Sequence, residues 1–377
     1  IQTSLVGSEM CIRDSDVDGA CSSAIIYSYL IKLGCKVEVH IPDRFTEGYG
    51  PNTQALMKLK EQGCNLIITV DCGITAFEPL KKANEENIDI IIIDHHITEP
   101  NLPEAYSIIN PNRFDEESKL GYLSAAGVCF LTLVALDRKL RENNIKSNVD
   151  LKLYLDLVAL ATICDVVPLR FLNRAFVSTG LKVMGWRQNH GLKALFDLSN
   201  LREIPNEQNL GYIIGPRINA AGRLGNSNLG VQLLCCNSEV EASVIADKLN
   251  QLNEKRKDIQ NSVLESAIDK LNKVDISNKN VIVLADTEWH EGVIGIVAGR
   301  IKDRFHKPSI IISINKDGIG KGSSRSVSGF DIGSAIIAAQ QNGILLSGGG
   351  HAMAAGLTVE QEKLEELDNF LNERFIK

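Results

Sequence analysis

Residues 65–96 read NLIITVDCGITAFEPLKKANEENIDIIIIDHH. Residues 65–70 (NLIITV) and 89–93 (DIIII) are apolar runs of strand length, and residues 76–86 between them carry a helical pattern. Strand, helix, strand in about thirty residues is the unit that lays two parallel strands side by side under a crossover helix. Each run ends in polar residues. Asp71, Cys72 and Gly73 follow the first, and Asp94, His95 and His96 follow the second. In open parallel sheets, ligands bind beyond the carboxyl ends of the strands, so both polar groups are delivered to one edge.

Outward from this unit the alternation continues. Residues 36–41 (KVEVHI) and 107–109 read as further strands, and 20–33 and 52–62 as helices; 125–142 and 151–163 are helix-like. This implies a parallel sheet covered on both faces. Residues 239–273 are charged and periodic without Gly or Pro, which predicts one long helix whose polarity suits a bridge between domains. A second α/β unit follows. Its strands are 280–284 and 309–314, a helix starts at 292–301, and helices cover 331–341 and 364–375; 318–322 and 348–350 read as glycine-rich turns. The fold class is α/β: a parallel-sheet domain joined by a long helix to a smaller α/β domain. The expected boundaries are a leader at 1–15, a catalytic domain with a helical extension at 16–238, the connecting helix at 239–273 and a substrate-binding domain at 274–377.

Bulk properties narrow the function classes. A chain of 377 residues with 44% hydrophobic content has room for two or three domains with substantial cores. A net charge of −7 excludes a general basic coat, so any nucleic-acid site is a local patch or relies on metal ions to meet phosphate. The nine cysteines are odd in number and form no CxxC, which predicts reduced thiols in a cytoplasmic protein. No apolar run reaches the ~18 residues of a membrane helix, and no signal peptide is evident. Aromatic residues are 5% of the chain, which limits base stacking.

Asp14, Asp16 and Asp18 stand at alternate positions in DSDVDG. Extended, they point to one side; in a turn they converge, which is costly without a cation. A solvated acidic loop is the plainer reading. An EF-hand loop would need a Glu where Ile25 stands. A lone Asp after a strand, such as Asp71, usually caps a helix or forms a turn, whereas an Asp-His-His triplet seldom serves packing. Asp165 lies inside the apolar run 157–169 (LVALATICDVVPL). Buried and unpaired it would be costly, so beside the other acids a metal partner explains it better than a bond to backbone. Carboxylates with one or two imidazoles suit Mn²⁺ or Mg²⁺ rather than structural zinc.

In this order, the DSDVDG acids, the strand-borne Asp71, the Asp94-His95-His96 triplet and Asp165 in ATICDVVPL resemble the four motifs of DHH phosphoesterases. Residues 215–225 (GPRINAAGRLG), 289–299 (WHEGVIGIVAG) and 347–356 (SGGGHAMAAG) narrow the resemblance to RecJ-like single-stranded-DNA-specific exonucleases, the last being similar to the glycine-rich signature of the DHH-associated domain. The likeness runs from about Asp16 to the end. It implies two divalent cations, Mn²⁺ or Mg²⁺. Asp14, Asp16 and Asp71 would hold one; Asp18, Asp71, His95 and Asp165 would hold the other, with Asp71 as the bridge. His96 would face the scissile phosphate, and Asp94 would orient a ligand. The implied reaction is 5′→3′ hydrolysis of single-stranded DNA to 5′-mononucleotides, in DNA repair and recombination. Single-strand-binding protein and a helicase are the implied partners.

The second domain is expected to grip phosphates. Gly348, Gly349, Gly350 and His351 can bring backbone N–H groups close to an anion. Arg217, Arg223 and Arg325, read as lying in Gly- and Ser-bearing loops, together with Asn219 and His290, complete the expected substrate contacts. A surface salt bridge is the plainer reading of any one Arg. The family puts an apolar strand and a Gly just before the first aspartate. Gly7, Ser8 and Glu9 interrupt any such strand here, so residues 1–15 read as a non-native or damaged leader that leaves Asp16 and Asp18 without a strand. RecJ-like enzymes also usually continue into an OB-fold after the glycine-rich signature, so the resemblance implies truncation at both ends. Two rival functions stay open. One is a DHH-type phosphodiesterase for short oligonucleotides or cyclic dinucleotides, or a pyrophosphatase, although those relatives carry His and Pro before the first acids and lack WHEGVIGIVA. The other is a nucleic-acid-binding module without catalysis.

Overall fold

The computed structural model describes residues 8–12, 16–42, 50–273 and 279–376. The chain forms two compact units, Ile1–Asn253 and Glu254–Lys377.

The first unit is built on five strands, β1 (Ser8–Ile12), β2 (Val37–His40), β3 (Leu66–Val70), β4 (Asp89–Ile93) and β5 (Ser107–Ile109), in the order β2-β1-β3-β4-β5. Every pair is parallel. Helices α1 (Val17–Lys32), α2 (Thr53–Glu61) and α3 (Phe77–Glu85) make the crossovers. Side chains alternate across the sheet as strand geometry demands. Ile67, Ile90 and Ile92 pack with Leu56 and Leu80 of α2 and α3, while Ile68, Val70 and Ile93 join the larger core on the other face with Ile25 and Tyr29 of α1. Helices α4 (Ala125–Glu142), α5 (Leu155–Cys164), α6 (Phe171–Gly185), α7 (His190–Leu198), α8 (Glu207–Asn209), α9 (Gly215–Arg223) and α10 (Asn228–Leu234) follow, with a π-helical turn at Leu210–Ile214.

The expectation that no strand precedes Asp16 is overturned. β1 lies inside the sheet, with Met10 opposite Val39 on one side and Ile68 on the other. A strand laddered on both sides is fixed by its neighbours, and that pairing outweighs the weak strand propensity of Ser8 and Glu9.

The predicted long helix is α11 (Glu239–Asn272), 34 residues and so about 50 Å long. The boundary between the units falls within it. Ala242, Ile245 and Leu249 are buried in the first unit's core, and Val263, Ala267 and Leu271 in a core of the second.

The second unit carries β6 (Ile282–Asp286), β7 (Ser309–Ile314), β8 (Ile319–Arg325), β9 (Ser347–His351) and β10 (Ala354–Glu360) in the order β6-β7-β8-β10-β9. β6 and β7 are parallel and the remaining pairs antiparallel. Helices α12 (Ile294–Phe305), α13 (Ile332–Gln341) and α14 (Leu364–Ile376) cover the sheet's hydrophobic residues. Of the glycine-rich segments read as turns, Gly318 does turn (φ 75°), but residues 319–322 and 348–350 lie in strands β8 and β9. Their glycines make room: a Cβ at Gly320 would lie 2.7 Å from Ile312, one at Gly322 2.7 Å from Leu357, and one at Gly348 2.6 Å from Ile336. Among the described residues, no helix is long and apolar enough to cross a membrane, and eight cysteines are free thiols.

Candidate metal centre

Two strand ends begin the site. Past β3, Asp71 adopts a left-handed backbone (φ 57°) and donates its N–H to the Ile93 carbonyl at 2.9 Å. Past β4, the Asp94 N–H reaches the Ile109 carbonyl at 3.0 Å, so the ladder carries both acids to the same edge. The turn after Asp71 needs Gly73: its φ is +105°, and a Cβ there would lie 2.7 Å from Thr69 Oγ1.

His95 is the hub. Its Nε2 lies 3.3 Å from Asp71 Oδ1 and 3.8 Å from both Asp18 Oδ2 and Asp165 Oδ2. Its Nδ1 is 2.9 Å from the Leu123 carbonyl. Donation from Nδ1 fixes the ring so that Nε2 faces the carboxylates and, in the neutral form, has its lone pair free for a cation. Asp94, fully buried, accepts at Oδ1 from the backbone N–H groups of His95 (2.7 Å) and His96 (3.1 Å) and from His96 Nδ1 (2.7 Å), and at Oδ2 from Ile74 N–H (3.2 Å).

Of the two arrangements their alternate spacing allowed, an extended segment is not the one adopted by Asp16 and Asp18. Asp16 is the N-cap of α1, its side chain accepting from Gly19 N–H at 3.1 Å, and Asp18 sits in the first helical turn. The buried Asp18 carboxylate accepts from Ala125 N–H (2.7 Å) and Ala126 N–H (2.8 Å). These are the first residues of α4, where the helix dipole is positive. Asp165 is not buried. It caps the C-terminus of α5 with its side chain 26% exposed. Asp14 lies outside the described residues.

The electrostatics show an acid cluster short of positive charge. Burial pushes the Asp18 carboxyl up, with His95 and the two N–H donors opposing it. Burial and then the charge of Asp18 push Asp71 well above the usual carboxylate range. Burial disfavours charge on His95, but contact with Asp71 and the charges of Asp18, Asp71 and Asp165 push it up to about 10. Burial also opposes ionisation of Asp94, yet bonds from His96 hold that carboxyl low. Asp71 Oδ1 is buried without a hydrogen bond. Ligand atoms of Asp18, His95 and Asp165 lie within 4.8 Å of one another, as do those of Asp71, His95 and His96. Carboxylate oxygens, imidazole nitrogens and one orphaned buried oxygen fit a hard divalent cation.

Several supporting groups escaped the sequence reading. Asn112 Nδ2 donates to the His95 carbonyl at 2.5 Å and to the Gly121 carbonyl at 3.2 Å. Asn110 Nδ2 donates to the His96 carbonyl at 2.9 Å, and Asn110 Oδ1 accepts from Asn112 N–H at 2.7 Å. Both follow β5, so the strand-end logic that singled out Asp71 applied to them too.

The expected phosphate contacts are placed differently from the reading. Arg217 and Arg223 lie in helix α9, not in loops. Arg217 is bonded to Asn250 Oδ1 (3.1 Å) and to the Ile213 carbonyl (2.7 Å). Asn219, on the same helix, has a buried Oδ1 without a hydrogen bond. In the second unit, Arg325 ends strand β8 and bonds to the Ser324 carbonyl (2.8 Å) and Ser323 Oγ (3.3 Å), so it is no loop residue. His290 Nδ1 accepts from Gly292 N–H at 3.0 Å. Gly348, Gly349, Gly350 and His351 form the outer edge strand β9, where a Cβ on Gly350 would lie 2.4 Å from the Ala354 carbonyl oxygen.

Residues 10–162 match the model of the DHH family, N-terminal domain, and residues 278–377 that of the DHHA1 domain. A solved structure of exonuclease RecJ bound to manganese superposes with a TM-score of 0.81 at 30% identity, covering 98% of this chain and 90% of that one. The chain belongs to the RecJ family. RecJ from Thermus thermophilus in complex with Mn²⁺ gives a TM-score of 0.83 at 29% identity over 98% of this chain and 52% of that one. The single-stranded-DNA-specific exonuclease RecJ of Bacillus subtilis is 38% identical over 367 residues, 97% of this chain but 45% of the relative. The chain thus spans about half the length of these two RecJ relatives.

Proposed function

We propose that this chain is a divalent-metal-dependent 5′→3′ exonuclease that hydrolyses single-stranded DNA to 5′-mononucleotides, in DNA repair and recombination. The observation that carries the reading is the convergence of Asp18, Asp71 and Asp165 on His95 Nε2, in a chain whose relatives are named single-stranded-DNA-specific exonucleases and are solved with manganese. Asp18, Asp71, His95 and Asp165 would hold one Mn²⁺ or Mg²⁺, and Asp16 and Asp71, with Asp14, the other. Bound there, a pair of divalent ions lowers the pKa of a water and stabilises the attacking and leaving oxygens of an in-line displacement.

The protein's own groups prepare that chemistry. The start of α4 fixes the Asp18 carboxylate, and Leu123 fixes the His95 ring. Asp94 holds His96 by Nδ1, leaving Nε2 to contact a phosphate oxygen. Asn219, Arg217, Arg223, His290, Arg325 and the backbone of Gly348, Gly349, Gly350 and His351 supply further phosphate contacts. A cytoplasmic location, with single-strand-binding protein and a helicase as partners, fits this activity.

The test is digestion of 5′- and 3′-labelled single strands with Mn²⁺ and with EDTA. We expect labelled mononucleotide from the 5′ end at once, with Mn²⁺ alone. Release from the 3′ end first, or digestion in EDTA, would refute the reading.

A further inference from the structure

Helix α5 ends at Cys164, and the chain crosses from its cap Asp165 to Phe171, the first residue of α6. Val166 and Phe171 both hold left-handed backbone, with φ of 58° and 48°. That conformation is costly for bulky side chains and most of all for a β-branched one. Elsewhere the chain puts suitable residues there, including Asn87, Asn144, Asn148 and Asn200. Among the described residues, Val166 and Phe171 are the two apolar side chains in that region. Burial does not offset the strain, because Val166 is 85% exposed and Phe171 74%.

The segment is nonetheless fastened down. Asn173, fully buried, donates Nδ2 to the Tyr122 carbonyl at 2.7 Å and to the Pro168 carbonyl at 3.0 Å. The Phe171 ring lies 5.7 Å from the Tyr122 ring, centroid to centroid. Tyr122 precedes Leu123, whose carbonyl orients His95, and Val166 follows Asp165. The exposed Phe171 ring and the half-buried Tyr122 ring behind it therefore sit on segments that adjoin residues of the candidate metal centre. Arg170, its guanidinium carbon 6.0 Å from the Phe171 ring centroid, adds positive charge beside the pair.

We propose that Phe171, backed by Tyr122 and flanked by Val166, is a stacking platform for one nucleobase of the single strand whose phosphate occupies the Asp165 site. The inference rests on the exonuclease reading and adds a base contact to it. A π-face accepts any base, so the platform places the strand without reading its sequence. In a chain with few aromatics, one platform in the segment that follows Asp165 would be enough to place the strand. The exposed, strained geometry is then explained by a ligand rather than by folding.

The test uses the full chain, Phe171→Ala and Phe171→Trp, and a 5′-phosphorylated 12-mer carrying one abasic nucleotide at each of its first positions in turn. Affinity is read by fluorescence anisotropy in EDTA, and KM and kcat with Mn²⁺. Phe171→Ala should weaken binding of the intact strand about tenfold, the scale of one lost base stack. KM should rise more than kcat falls, and Phe171→Trp should retain affinity. At one position the abasic nucleotide should cost the wild-type protein the same factor and cost Phe171→Ala nothing further. Unchanged affinity in Phe171→Ala, or losses that multiply at every position, would overturn the platform while leaving the exonuclease reading intact. A wild-type protein that neither binds nor degrades the strand would overturn both. Phe171 is on the surface, so a matching thermal melt confirms that the variant is folded.

Discussion

Asn112→Ala tests whether the site is held by groups that never touch a ligand. The side chain ties the His95 carbonyl (2.5 Å) to the Gly121 carbonyl (3.2 Å), and Gly121 leaves it room, since a Cβ there would lie 2.1 Å from Asn112 Oδ1. Truncation leaves two carbonyls to find other donors. One bond is half-buried and the other exposed, so the stability loss should sit near the lower end of about 1–3 kcal/mol. The larger effect should fall on metal affinity, because the Asn112 bond anchors the peptide that carries the His95 ring. Removing a group that orients a ligand typically costs about 10–100-fold in metal affinity. Calorimetric titration with Mn²⁺ and a thermal melt on the same sample separate the two. Asn112→Asp controls for size, since a carboxylate fills the space but cannot donate, and it should behave like the Ala variant. A lowered melting temperature with Mn²⁺ affinity within twofold of wild type would show that Asn112 supports only the loop.

Asp71→Ala should abolish Mn²⁺-dependent digestion, because it removes a buried oxygen that faces His95 and has no hydrogen bond; near-normal turnover would remove Asp71 from the site. In metal-free protein His95 has its folded pKa raised to about 10 from 6.5, so its stabilisation is complete below pH 6.5 and lost as pH rises toward 10. Melting temperature in EDTA should therefore fall across that window while Mn²⁺ affinity rises, since ligation needs neutral imidazole; a flat melting curve with pH would contradict the charged ring. Arg325→Ala should weaken single-strand binding and lower the salt slope by about one phosphate contact, and an unchanged slope would leave Arg325 bonded to Ser323 and Ser324 alone.

The parts of the fold legible in the sequence are those whose residues have one environment. β4, β5 and β7 keep the bounds read from their apolar runs, because strands covered on both faces have no reason to alternate. β1 carries no such run, and its place is set by ladders to β2 and β3 that the local sequence does not encode. β8 and β9 were hidden by glycine. Glycine commonly marks turns, but here it makes space for Ile312, Leu357 and Ile336. Arg217 and Arg223 were misplaced for a similar reason, the glycines of GPRINAAGR lying within helix α9.

The candidate site divides the same way. The Asp94-His95-His96 triplet stood out because three polar residues together at a strand end seldom serve packing, and Asp71 gained weight from ending the neighbouring strand at the same edge. Asp18 is different. Its spacing from Asp16 left an extended segment and a turn both open, whereas its position depends on Ala125 and Ala126, more than a hundred residues away. A buried carboxylate beside a second one tends to take up a proton. Two N–H donors at a helix N-terminus and the nearby His95 ring work against that. Without them Asp18 would more readily be neutral and a poorer cation ligand. The acid is visible in the sequence, but the partners that favour its charge are visible only in the fold. That relation also reconciles a chain of net charge −7 with the phosphate substrate proposed for it. The acids are gathered where cations can meet phosphate, so no basic coat is required.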